Sequence, residues 1–281
     1  MTLLELSAKV PGSLLLISEL ILIWAAANYA LVADPLQEAN RSSVDRPPLS
    51  KLWTASLVLR SVGVGLLTIV IANGRPGAFL LGLFLAIGSL LLPIARRWWV
   101  SPAYGAEIEI GVSALLVTLI VVSVIHWHLV ASHYRIALPF SESRTSALCL
   151  IAAIVIFNVR GGTYIVRGIL NKCGALPELD VPTGSTVTPR PPRVVSEKIV
   201  DAVEINRGRW IGNLERILTL AMVAEQSYPA IAFLMAAKGF IRSKDLENRE
   251  WAEYFLLGTL ASIAISLVGG VLIRQIIVAF W

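Results

Sequence analysis

Long apolar runs separated by short polar clusters set the pattern of this chain. A helix needs about 20 such residues to cross a hydrocarbon core roughly 30 Å thick. On that measure spans are predicted at 11–33, 52–73, 77–95, 109–130, 147–166, 217–237 and 254–280. Pro47-Pro48 breaks the chain before the second run. The turn signal Asn73-Gly74-Arg75-Pro76-Gly77 makes the second and third spans antiparallel neighbours. Arg96, Arg97, Trp98 and Trp99 close the third, while Asn158, Arg160 and Gly161-Gly162 interrupt the fifth. The last span continues a charged helix that begins near Asp245. The expected fold is an all-α polytopic transmembrane helical bundle of about seven spans. It divides into a five-span N-terminal bundle (1–171), a linker with a short helix (172–207) and a two-span C-terminal module (208–281).

The sixth run is the unusual one. Glu215-Arg216 and Lys238 bracket 21 residues, Ile217 to Ala237, and Glu225, Gln226, Ser227, Tyr228 and Pro229 stand in the middle. Lipid would demand apolar residues there, and ionisable groups at depth point to function. Two arrangements fit: a kinked crossing, favoured by the length, or a re-entrant hairpin turning at 227–229, which makes six spans. In a kinked crossing Pro229 frees the carbonyl of Glu225. The Glu225 carboxylate and that carbonyl, with Gln226, Ser227 and Tyr228, would bind a proton or a monovalent cation. Alternatively Glu225 bonds Arg160 or Arg274 of a neighbouring helix and holds the bundle together.

The pattern G-x-x-x-G-x-x-E-R (Gly208, Gly212, Glu215, Arg216) continues through Glu225-Gln226, Ala236-Ala237-Lys238, Arg242, Glu253-Tyr254 and Gly258-Thr259. Over these last 75 or so residues the chain resembles a bacterial family of polytopic membrane proteins defined as a domain of unknown function. The resemblance implies an architecture and a bacterial cytoplasmic (inner) membrane, and no activity. Family members carry a His and an Asp in the first helix, where this chain has Glu19 and Asn28.

Composition agrees with a membrane protein: 56% of residues are hydrophobic, mean hydropathy is +0.73 and only 15% are charged. Trp53, Trp98, Trp99, Trp127, Trp210, Trp251 and Trp281 fall near proposed span ends, where indoles favour the membrane interface, and Trp24 falls inside a span. The first span lacks a basic leader and a cleavage site and reads as retained. The net charge of +5 lies in loops between apolar runs, so nucleic acid is not an expected partner. Seven crossings leave 8 Lys and Arg on the N-terminal side and 13 opposite; a hairpin changes this to 5 and 16. Both counts put the N-terminus outside and 172–207 in the cytoplasm. That linker is Pro-rich from 176 to 192, and 194–206 reads as an amphipathic helix with Glu197, Asp201 and Glu204 on its solvated face.

Other constellations are weaker. His126, His128 and His133 are candidate metal ligands, but nothing is spaced to complete the set, and interfacial histidines are the simpler reading. Cys149 and Cys173 make no framework. Glu19 and Arg60 sit at similar depths in the first two spans and are expected to neutralise each other. Gly258, Ser262, Ser266 and Gly270 recur every four residues and form a helix-packing stripe. No catalytic, phosphate-loop or dinucleotide signature is present, so an enzyme is the least supported class and no cofactor is expected. The expected partners are the bilayer and either a protein subunit or further copies of the chain. The function expected is transport or conduction of a small ion or solute through a polar site within the bundle. Its alternatives are a non-catalytic anchor or scaffold and an oligomeric pore-forming effector.

Overall fold

The computed structural model describes residues 13–32, 51–96, 104–129, 141–173, 202–241, 243 and 249–281. Every regular element among them is helical. Among the described residues, six stretches are long and apolar enough to cross a membrane: Ser13–Ala30, Thr54–Ile71, Pro76–Ile94, Gly105–His126, Glu142–Lys172 and Ala252–Phe280. The chain is an integral membrane protein folded as an all-α bundle. In order, α1 (Ser13–Ala25) runs into a wide π turn (Ala26–Ala30), followed by α2 (Lys51–Ile71), α3 (Pro76–Ile94) and α4 (Gly105–His126). The fifth span is α5 (Glu142–Ile156), a second π turn (Phe157–Gly161) and α6 (Gly162–Lys172). Then come α7 (Ala202–Ala224), α8 (Tyr228–Ile241) and α9 (Arg249–Phe280). The Pro-rich linker, Glu197, Asp201, His133 and the expected helix start near Asp245 lie outside the described residues; 202–206 belong to α7.

Three helix ends use one device. Asn73, His128 and Gln226 adopt left-handed φ values of 61°, 47° and 58°. In each case the next amide reaches back five residues: Gly74 to the Ile69 carbonyl, Leu129 to Val124 and Ser227 to Met222, at 2.9, 3.0 and 2.8 Å. This Schellman closure satisfies carbonyls that a helix end otherwise leaves bare. It turns the chain sharply, and Pro76 then opens α3 where its missing N–H costs nothing.

The bundle is apolar on both sides of its helices. Leu16, Leu20, Leu81, Leu85, Ile120 and Val124 fill the interior. Leu59, Leu66, Phe79, Phe84, Leu260 and Val268 point outward, as lipid-facing positions should. Spans two and three touch backbone to backbone: a Cβ at Gly82 would lie 2.8 Å from the Gly65 carbonyl oxygen.

The sixth run departs from the favoured expectation. It is a helical hairpin, the arrangement with six spans, and not a kinked crossing. Glu215 and Lys238 form an ion pair at 2.5 Å although 23 residues separate them. One continuous helix would hold them about 34 Å apart at 1.5 Å per residue. Instead α7 ends at Ala224, the chain reverses through Gln226, and α8 returns antiparallel. Pro229 therefore sits in the first turn of α8 and breaks no helix interior. α8 has only 14 residues, and α7 carries charge as far as Arg216. Charge reversal tests the hairpin. Glu215→Lys and Lys238→Glu are each expected to lower the thermal midpoint in detergent, and the double reversal to recover most of the loss. Two additive losses would mean that the residues do not meet.

Candidate functional site

Two groups of charged and polar side chains lie toward the same end of the bundle, where α3 ends and α4 and α9 begin. The first surrounds Glu109, in the second turn of α4 and 1% exposed. Arg96 grips it side-on: its Nε donates to Oε1, and Nη2 donates to Oε2 at 2.8 Å. The hydroxyl of Tyr29 also donates to Oε2, at 2.9 Å, and bonds Ser113 Oγ at the same distance. The π turn ending the first span brings Tyr29 here and presents the Asn28 carbonyl, which accepts from Arg96 Nη1 at 3.2 Å. Asn28 Nδ2 donates to the Trp24 carbonyl and to Ser89 Oγ. The Arg96 guanidinium lies 4.1 Å from the Tyr164 ring centre and 5.1 Å from that of Tyr29. The charge pair is thus matched, desolvated and clamped by spans one, three, four and five. Such an arrangement fixes helix register and leaves little capacity for a ligand.

The second group lies across the fifth span, and residues 161–164 are the wall between the two. A Cβ at Gly161 would lie 3.2 Å from the Tyr29 ring, and one at Gly162 would lie 3.1 Å from Arg216 Nη1. Tyr164 stacks under Arg96, whereas Thr163 Oγ1 accepts from Arg216 Nη2 at 2.8 Å. Arg216 is 5% exposed and also donates to Asn213 Oδ1 at 2.7 Å, yet its buried Nε meets no acceptor among the described residues. No carboxylate among them bonds it. One turn along from Thr163 is Arg167, whose Nη1 is likewise buried without an acceptor among the described residues. Tyr164 and Tyr254 are its electrostatic neighbours. The Glu215–Lys238 pair borders this group, with the Lys238 ammonium 5.3 Å from the Phe255 ring centre.

Of the residues singled out in the sequence, Glu215, Arg216 and Lys238 come together here. Glu225, Gln226 and Tyr228 do not: they are exposed at the hairpin turn, and neither Arg160 nor Arg274 holds Glu225. Glu19 and Arg60 are also apart. Glu19 is an electrostatic neighbour of Cys149 in α5, whereas Arg60 donates to the Leu31 carbonyl at 3.4 Å. Residues 19 and 31 are about 18 Å apart along a helix, beyond the reach of an arginine. In the small-residue stripe, Gly258 faces Leu170 and Gly270 faces Val223; Ser262 is half-buried. Ser266 donates to Asn158 Oδ1 at 3.2 Å, while Asn158 Nδ2 donates to the Ile265 carbonyl at 3.1 Å. His126 and His128 are exposed, and the His128 carbonyl accepts from Arg75. Among the described residues no three metal-ligating side chains gather.

Sequence reasoning passed over the Arg96–Glu109 pair, which it took for a span flank and a span start. The signal was present. Opposite charges 13 residues apart, on either side of a short interhelical connection, stand at one level on adjacent antiparallel helices. Tyr29 gave no such signal, because only the π turn makes it a neighbour of charge. No family model, curated protein or solved structure matches the chain, so its chemistry is read from this geometry alone.

Proposed function

We propose that the protein transports or conducts a small ion or solute, using the polar seam where α7 of the hairpin packs on the second π turn and on α9. The observation that carries this reading is an interrupted helical hairpin, set among membrane-length helices, with a buried arginine on its inner face. Membrane transporters build substrate sites from broken helices because the break exposes polar groups away from lipid. Over the sequence-defined spans, with the hairpin returning, 16 Lys and Arg fall on the linker side and 5 on the other. Both charged groups then lie toward the cytoplasm, and both termini lie outside. A bacterial inner membrane as the location rests on the sequence resemblance.

Purified protein in liposomes is expected to pass an ion or small solute, and Arg216→Gln to slow that flux about tenfold or more, as loss of a charged hydrogen bond would. A lone protein that passes neither protons, alkali cations, halide nor phosphate overturns the reading. One observation favours a membrane anchor or scaffold instead. α8 has no fully buried residue, and Phe233, Phe240 and Ile241 are exposed along it. A stoichiometric subunit that co-purifies and shields α8 from labelling would support that role.

A further inference from the structure

The face of α9 that turns away from the bundle carries a pattern of its own. Ser266, Gly269, Gly270, Ile273 and Ile276 are buried on one side of the helix, where Gly269 meets Leu220 and Gly270 meets Val223 of α7. On the opposite side Ala264, Val268, Val271, Gln275 and Val278 are all exposed, Val268 and Val278 to 64% and 73%. They recur at intervals of four, three, four and three, and half-buried Leu257 and Ala261 carry the spacing back toward the start of the helix. Such a heptad seam lets two helices interlock side by side. Gln275 lies within it and has no hydrogen-bond partner among the described residues. It stands about 9 Å before Trp281 along the helix axis. Helical side chains lean toward the start of their helix, so its amide points away from the interface that Trp281 marks.

Lipid tails are as apolar as valine, so an apolar face alone draws no partner in a membrane, whereas a polar side chain facing lipid does. A glutamine amide both donates and accepts. Its partial charges are therefore complementary to those of a second glutamine set against it. Copies of one membrane protein insert in the same direction, and a two-fold axis along the membrane normal brings each residue to its counterpart at equal depth. Gln275 then faces Gln275 of the second copy, each carbonyl toward the other's N–H. Val268, one heptad earlier, is the β-branched type that favours two strands at this position, and a single polar residue in the seam fixes register. We propose that the protein is a parallel homodimer in the membrane, joined along residues 264–278 of α9 through reciprocal Gln275 hydrogen bonds. This interface lies on the far side of α9 from α7, so each copy keeps its own polar seam.

The test uses the full chain in phosphatidylcholine bilayers. Single-molecule photobleaching counts the copies, and cysteine cross-linking locates the contact. In a background of Cys149→Ala and Cys173→Ser, Val271→Cys and Val278→Cys are expected to give disulfide-linked dimers. Leu66→Cys on α2, which also faces lipid, is not. Gln275→Leu is expected to weaken dimerisation about tenfold. The thermal midpoint of the monomer in dilute detergent should not move, because Gln275 bonds nothing among the described residues. Gln275→Asn keeps the amide and should retain most of the association. A protein that stays monomeric, with lipid covering the seam, overturns the proposal. So do assemblies of another size, cross-linking at Leu66 as strong as at Val271, or dimerisation unaltered by Gln275→Leu.

Discussion

Glu109→Gln is expected to destabilise the protein by about 3–5 kcal/mol, the usual result of removing one partner from a buried ion pair. The amide keeps the volume of the carboxylate, so packing is preserved and the loss is electrostatic. Arg96 would keep its charge in a site where its only carboxylate partner among the described residues has gone. Tyr29 would lose the charge on the oxygen that accepts from its hydroxyl. The double variant Arg96→Met/Glu109→Leu removes both charges and should recover most of the stability, since a buried pair is often replaceable by apolar side chains. Denaturant unfolding in detergent micelles measures all three proteins. If Glu109→Gln unfolds with the wild type, the pair is not the clamp described above.

Gly270→Leu is expected to prevent α9 from docking, at a cost of about 3 kcal/mol, the upper end for overpacked interiors. Even a single methyl at Gly270 would lie 2.5 Å from the Val223 Cβ and 3.1 Å from the Leu220 carbonyl oxygen. Side-chain rotation relieves neither contact, because both atoms are fixed to the α7 backbone. Gly111→Leu provides the matched control, since a Cβ there meets nothing within 4 Å. It should match or slightly exceed wild-type stability, as replacing a helical glycine at an open position usually does. Comparison of monodisperse yield and thermal midpoint decides the matter, and equal values for the two variants would count against the α7–α9 contact.

These expectations show how far the sequence could be read. Hydropathy located the six spans because lipid imposes one simple demand over some 20 residues. It misjudged the sixth run because length alone cannot separate one crossing from two short antiparallel helices. The decisive feature was local: Gln226 takes a left-handed conformation that sequence patterns assign first to glycine. The fifth span was placed too short, since Arg167 and Lys172 read as an end of the membrane. Depth alone made Glu225 look functional. Depth along a run is meaningful only when the run is one helix. Arg216 was found through its neighbours in the sequence, but Arg167 needed the continuation of the fifth span to Lys172.

The π turn at Phe157–Gly161 makes the fifth span sensitive to residue number as well as residue identity. A wide turn accommodates one residue more than an α-helical turn does. Each residue adds about 100° of rotation, so the turn sets which way Thr163 and Tyr164 point. Inserting a second residue there would exceed what the wide turn absorbs and swing all of α6 by that angle. Tyr164 would leave Arg96, and Thr163 would leave Arg216, with every side chain in α6 unchanged in type. Substitutions along the span act one at a time, whereas a single-codon insertion at this point would dismantle both charged groups together.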